Sequence, residues 1–374
     1  MVSVAEACEI LDNMRIPITA SDRKKGIYPY YGANGVQDYV DDYIFDDELV
    51  LLAEDGGHFG SKEKPIAYRV SGKCWVNNHA HVLKPKANLN VDYLCYSIMF
   101  YDVMPLISGT TRAKLNKAAI SKMIIPLPPL HVQQKIADIL DRANALIEKR
   151  KSQIEKLDLL VKSQFIEMFG DPVTNPKGWE YTKLGNICDI TSSKRIFESE
   201  YVLSGVPFFR TKEIVELSKG SKITTELYIS EARYLEIKEK FEIPKIGDLL
   251  VSAVGTIGVI WIVDTAEPFY FKDGNLIWLK CGQQSNPTFL EHLLTKLIDF
   301  YKSDISAGSA YSALTIAKLK EMNTHNPPID IQKQFADFVE RVEIQKFELK
   351  KSLELMELNY RSLMQKCFGE RQNG

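Results

Sequence analysis

Asn326-Pro327-Pro328-Ile329 is the stretch whose composition most resembles a catalytic signature. Amino-methylating enzymes use Asn-Pro-Pro followed by an aromatic ring that stacks on a flipped base while the Asn holds its amino group. Here Ile329 stands where that ring is needed, and no glycine-rich loop after a strand offers a place for S-adenosylmethionine. His58, His79 and His81 lie near Cys74, but His-x-His with a distant Cys is poor spacing for zinc. A structural or base-contacting role suits these histidines better. Gly56-Gly57-His58-Phe59-Gly60-Ser61-Lys62 lacks the spacing of a phosphate-binding loop and reads as a glycine-rich turn with a polar tip. The expectation is a chain with no catalytic residues, no metal and no bound cofactor.

What remains are polar clusters on loops, whose chemistry is hydrogen bonding to phosphates and base edges. Ser108-Gly109-Thr110-Thr111-Arg112-Ala113-Lys114 is one, and Trp75-Val76-Asn77-Asn78-His79 another. Tyr30, Tyr31 and Asn34, with His58 and Lys62 of the glycine-rich turn, complete the candidates in the first half. In the second half they are Arg210, Lys212, Lys272, Asn275, Ser309 and Tyr311. The formal net charge of −2 is not that of a typical nucleic-acid binder, so any positive surface must be local. The segment Gly109 to Ile125 qualifies, with Arg112, Lys114, Lys117 and Lys122 and no acid.

These clusters sit in a duplicated chain. Gly109 to Asp171 aligns without a gap onto Gly308 to Glu370, at a constant offset of 199 positions. Leu115/Leu314, Met123/Met322, Pro128/Pro327, Pro129/Pro328, Gln133/Gln332, Arg142/Arg341 and Phe169/Phe368 are among the identities. Upstream the likeness weakens: Cys8-Glu9-Ile10 matches Cys188-Asp189-Ile190 at an offset of 180, so the second half gains 19 residues before the frames rejoin. A variable unit and a shared unit therefore alternate twice, and repeats of this kind organise the reading of everything else.

The shared units are predicted long helices. Ile136, Leu140, Ile147, Ile154, Leu157 and Val161 lie on a seam of alternating four- and three-residue steps, and Phe335, Val342, Leu349, Leu353, Met356 and Tyr360 lie on its copy. Prolines precede each helix and Gly170 or Gly369 follows it. Ile136 to Met168 spans roughly 50 Å at 1.5 Å per residue. Two equal seams in one chain point to helices that pair with each other as a spacer. The variable units instead show short β-rich runs, at Glu48–Ala53, Ala67–Val70, His81–Lys84, Asp248–Ala253, Val259–Val263 and Leu276–Lys280, and each closes with a short helical pattern. The predicted class is α+β: two globular domains joined by two long helices in an antiparallel coiled coil with a pseudo-twofold repeat. The segments are 1–128, 129–170, 171–327 and 328–374. Six scattered cysteines without a C-x-x-C pair, no secretion signal and no membrane-length apolar run point to the cytoplasm.

Pro126-Leu-Pro-Pro-Leu-His-Val-Gln-Gln-Lys-Ile-Ala-Asp-Ile-Leu-Asp, running on to Phe169-Gly170-Asp171-Pro172, resembles the specificity subunits of type I restriction–modification systems. Gly178-Trp179-Glu180 and Leu184-Gly185 look like the opening of a second target-recognition domain, and Tyr28 to Gly35 with the Asp55-Gly56-Gly57 turn look like a first. The first domain starts only seven residues before Cys8, a shorter lead-in than the second has before Cys188. The resemblance implies that each domain enters a major groove of double-stranded DNA and reads half of a bipartite target. It also implies that the helices set the half-site spacing and dock two modification (methyltransferase) subunits, with a restriction subunit as a further partner. S-adenosylmethionine and ATP would serve those partners. The alternatives are an autonomous adenine methyltransferase, which lacks its cofactor loop here, a coiled-coil scaffold without DNA binding, and a stand-alone DNA-binding regulator.

Overall fold

The computed structural model describes residues 1–109, 113–221, 223, 225–306 and 314–369. It divides into two compact units, one of residues 1–152 with the chain from 350 onward, the other of residues 153–349. The segments expected from sequence ended at the ends of the long helices. The units are cut through the middle of both helices instead, because each half-helix packs against the globular domain beside it.

The first unit opens on a single turn, Val4–Ala7, fixed by a capping box: the Glu6 N–H donates to Ser3 Oγ (3.2 Å) and the Ser3 N–H to Glu6 Oε2 (2.8 Å). Six strands follow: β1 (Cys8–Ile10), β2 (Lys25–Gly32), β3 (Gly35–Val40), β4 (Phe45–Ala53), β5 (Ala67–Val76) and β6 (Ala80–Pro85). Their order in the sheet is β1-β6-β4-β5-β2-β3. All neighbours are antiparallel except β2 and β5, where Tyr30 pairs with Trp75 and Tyr31 with Val76 in parallel. Leu49 to Ala53 is buried on both faces, which is why this strand reads as a continuous apolar run rather than an alternation. Helix α1 (Val91–Ile98), capped by Asn90, lays Tyr93, Leu94 and Ile98 on Val50, Leu52 and Leu83. The chain then enters α2 (Leu130–Phe169).

The second unit repeats this plan with β7 (Cys188–Thr191), β8 (Tyr201–Val202), β9 (Val206–Phe209), β10 (Tyr228–Ile229), β11 (Leu249–Ser252), β12 (Ile260–Ile262), β13 (Tyr270–Phe271) and β14 (Leu276–Cys281). They form two sheets, ordered β7-β14-β11-β12 and β8-β10-β9-β13. Cys188 pairs with Cys281 as Cys8 pairs with Pro85, and Leu249 faces Leu279 as Val50 faces Leu83. A parallel pair recurs at Phe208/Tyr270 and Phe209/Phe271. The extra residues of this half lie between β7 and β11, where the helices Thr211–Leu217 and Glu231–Lys240 have no counterpart in the first unit. The repeat reaches back to the start: the Val4 N–H donates to Met123 O and the Leu184 N–H to Met322 O. Helices α3 (Pro287–Ser306) and α4 (Ile329–Phe368) complete the unit.

α2 and α4 are each 40 residues long, about 60 Å of helix. In the first unit, Ile136, Ala137 and Leu140 near the start of α2 share a core with Tyr360, Leu363 and Phe368 at the end of α4. In the second, Phe165 and Phe169 at the end of α2 pack edge-on against Phe335 at the start of α4. The helices are therefore antiparallel in both units. All of the predicted seam residues, Ile136, Leu140, Ile147, Ile154, Leu157 and Val161 with Phe335, Val342, Leu349, Leu353, Met356 and Tyr360, are buried or half-buried. Among the described residues, no helix is long and apolar enough to cross a membrane.

Candidate nucleic-acid interface

Beyond β4, the Glu54 N–H donates to His79 O (2.9 Å) and the Leu115 N–H to Glu54 O (2.8 Å), so backbone alone ties three loops together. In the second unit the Ala253 N–H donates to Asn275 O (2.8 Å) and the Leu314 N–H to Ala253 O (3.1 Å). Glu54 thus corresponds to Ala253 and His79 to Asn275. The two halves hold one backbone frame and decorate it differently.

On the first frame, His79 Nδ1 lies 2.7 Å from Asp55 Oδ1, and the His79 N–H donates to Asn77 Oδ1 (2.8 Å). Asn77, almost fully buried, donates from Nδ2 to Gln37 Oε1 (3.1 Å). Asn34 Nδ2 donates to Gly56 O (3.0 Å), pinning the glycine turn at a residue with φ of 65°. Asn34, Asn78 and Lys62 are exposed, and His58 and His79 half-buried. The sequence candidates Asn34, Asn77 and His79 are thus brought together. Asp55, known from sequence only as part of the Asp55-Gly56-Gly57 turn, and Gln37, which carries no local signal, complete the cluster.

Tyr30 and Tyr31 divide. Tyr31 is half-buried against Tyr68. Tyr30 is 1% exposed, its hydroxyl lies 3.1 Å from the Ile18 N–H that donates to it, and Arg23 covers its ring. It is a core residue, which corrects its selection as a DNA contact: its ring fills the sheet and its hydroxyl is used within the chain.

Lys114 is exposed but pairs with Glu54 Oε1 at 2.8 Å. Arg15 Nη1 holds the other oxygen of Glu54 at 2.7 Å, and His81 bridges Asp12 Oδ2 (2.6 Å) and Leu115 O (2.7 Å). Ligand atoms of Asp12, Glu54 and His81 lie within 4.8 Å of one another, a grouping that could hold a cation. Arg15 and Lys114 already supply positive charge there, so the arrangement works as an ion-pair clamp on the loops. Burial opposes the charged forms of both acids. Hydrogen bonds from His81 and the Val82 N–H outweigh it at Asp12, and those from Lys114 and Arg15 outweigh it at Glu54, so both carboxyls titrate below their ordinary range. Thr110, Thr111 and Arg112, with Ser309 and Tyr311 in the second half, lie outside the described residues.

In the second unit, Lys272 and Asn275 flank the exposed Gly274, which has a φ of 73°. Arg195 Nε donates to Asp273 Oδ2 at 2.9 Å. Arg210 pairs through Nη2 with Glu213 Oε1 (3.0 Å), and its own N–H donates to Oε2 (2.8 Å). Glu213 is fully buried; that burial opposes its charge, but Arg210 prevails and lowers its titration. Lys212 is exposed on the same short helix. The Asn-Pro-Pro segment is structural: Gln332 Nε2 donates to Asn326 Oδ1 (2.9 Å) and Pro327 O (2.7 Å), just as Gln133 Nε2 donates to Pro128 O (2.7 Å).

The family described as type I restriction modification DNA specificity domain matches residues 1–156 and 176–359. A chain of Haemophilus influenzae named as a type I restriction enzyme specificity subunit is 33% identical over 343 residues, covering 90% of this chain and 86% of the relative. The MjaVIII specificity subunit of a type I restriction enzyme from Methanocaldococcus jannaschii is 22% identical, covering 92% and 85%. Among solved structures, the S subunit of a type I restriction-modification system from M. genitalium superposes with a TM-score of 0.60 at 14% identity, covering 98% of this chain and 95% of that one. This likeness extends the sequence match to the fold. The chain belongs to the family of type I restriction modification DNA specificity domains.

Proposed function

We propose that the two globular units each read one half of a bipartite DNA target, while α2 and α4 fix the half-site separation and dock two modification subunits. The chain is the DNA-recognition subunit of a type I system and does no chemistry itself. Methyl transfer with S-adenosylmethionine, and ATP-driven restriction, belong to the partner subunits. One observation carries the reading: the same backbone frame presents Asp55 and His79 in one unit and Val254 and Asn275 in the other. One scaffold with two sets of polar tips is what reading two different half-sites requires, since base edges differ only in donors, acceptors and methyl groups.

The docking role is supported by the outer faces of the helices. Leu146 is 54% exposed, Leu159 60%, Phe347 65% and Leu358 56%. Large apolar side chains repeatedly exposed along a helix mark a surface that is covered in an assembly. In the first unit a cleft of about 1010 Å³ is lined by Lys62, Phe100, Ile147, Lys151 and Met364 among others.

Co-expression with the cognate modification subunit, followed by genome-wide mapping of methylated adenines, tests the proposal. A bipartite motif with a fixed gap, present only with this chain, is expected. A complex that forms without any methylated motif contradicts the DNA-reading role, and the absence of any complex returns the chain to a scaffold.

A further inference from the structure

We infer that His79 reads an exocyclic amino group of an adenine or cytosine through Nε2, with Asp55 as the residue that positions it. The inference rests on the proposed DNA-reading role and names the chemistry of one subsite within it.

A carboxylate only accepts hydrogen bonds, so the 2.7 Å contact with Asp55 Oδ1 requires the proton of the neutral ring to sit on His79 Nδ1. The lone pair is then on Nε2, for which no protein partner is found among the described residues. The backbone that carries the ring is held at two points: the His79 N–H donates to Asn77 Oδ1 (2.8 Å), and the His79 carbonyl accepts from the Glu54 N–H (2.9 Å). Asp55 is itself screened, with a side chain 12% exposed, while that of His79 is 36% exposed. The result is a fixed acceptor at the loop tip. In the major groove its complements are adenine N6 and cytosine N4, the two amino donors. A guanine or thymine edge offers only acceptors there and is rejected lone pair to lone pair. The second unit has Val254 at the position of Asp55, so it lacks this device and reads by another.

The test uses the complex assembled with its modification subunits and duplexes carrying the mapped target. Each adenine in the first unit's half-site is replaced in turn by purine, and each cytosine by its analogue lacking the 4-amino group. For the wild-type complex, one such replacement is expected to weaken binding about tenfold, the scale of one hydrogen bond. His79→Ala should abolish the penalty at that position alone and keep the others, which shows that the domain still folds. Asp55→Asn, whose amide accepts either tautomer, should shrink the penalty, and Asp55→Glu should restore part of it. Loss of the amino group at an adenine or at a cytosine tells which base is read. If His79→Ala leaves every penalty intact, or lowers the penalties at all positions alike, the inference is overturned alone. A wild-type complex without sequence preference overturns the DNA-reading role and this inference with it.

Discussion

The Asn90 N–H donates to Gln133 Oε1 at 2.9 Å, joining the first turn of α1 to the first turn of α2. Its repeat is the Asn286 N–H on Gln332 Oε1 at 2.8 Å. Both glutamines are fully buried and also donate to the proline carbonyl that precedes their helix. Each long helix therefore leaves its globular unit through the same amide clamp. The angle at which a recognition unit meets the spacer is fixed by hydrogen bonds rather than by apolar contact alone.

Gln133→Ala should strand the half-buried Asn90 N–H and Pro128 carbonyl. A loss on the order of 1–3 kcal/mol follows from leaving these polar groups unpaired, measured by urea unfolding. Lys135→Ala, exposed on the next turn, should change stability by less than about 0.5 kcal/mol.

Gly32→Ala places a Cβ within 2.2 Å of Gln37 Nε2 and 3.1 Å of Asn77 Nδ2. Gln37 is exposed and its tip can move aside, but that breaks the bond from the buried Asn77 Nδ2, so stability should fall by about 1–3 kcal/mol. The polar cluster around His79 would also be displaced. Affinity for the first half-site should drop while the second half-site is read unchanged, which half-site mutant duplexes can measure.

Phe347→Asp and Leu358→Asp alter large side chains that touch little within the chain. Thermal unfolding of the lone chain should be nearly unaffected. Co-purification of the modification subunit should fall at least tenfold if these faces dock it.

Glu291 and His292 on α3 titrate in opposition. Burial, with Glu343 nearby, raises Glu291 to about 7, and burial lowers His292 to about 4. A raised acid binds its proton more tightly in the folded state, so its share of stability falls as pH rises from about 4.5 to about 7. A lowered histidine releases its proton on folding, so its share rises from about pH 4 to about 6.5. The two largely cancel in the wild type. Glu291→Gln should unmask the histidine: stability then climbs between pH 4 and 6.5 by up to about 1.4 kcal/mol per pH unit, the slope for one proton. Urea midpoints across that range check it.

Much of this was legible in the sequence, for a reason that the seam shows. Residues such as Leu140, Val161 and Val342 must alternate by three and four to bury one stripe of a helix, and the second copy of the pattern doubled the signal. The strands β4 to β6 were equally clear, since Leu49 to Ala53 has to be apolar to sit inside a sheet. β2 and β3 escaped: Pro29 interrupts the run, and β-bulges at Lys25/Tyr28 and Tyr30/Tyr31 break the two-residue period. The interface was harder, because its partners are distant. Asp55 meets His79 and Lys114 meets Glu54 only after folding, so the free cation suggested by the basic stretch is in fact half of an ion pair.

The most direct test of the central claim is to exchange residues 1–125 for the corresponding domain of another family member and to map the methylated motif again. The account predicts that one half of the bipartite motif changes while the other half and the gap stay as they were. A motif that changes in both halves, or in neither, would contradict it.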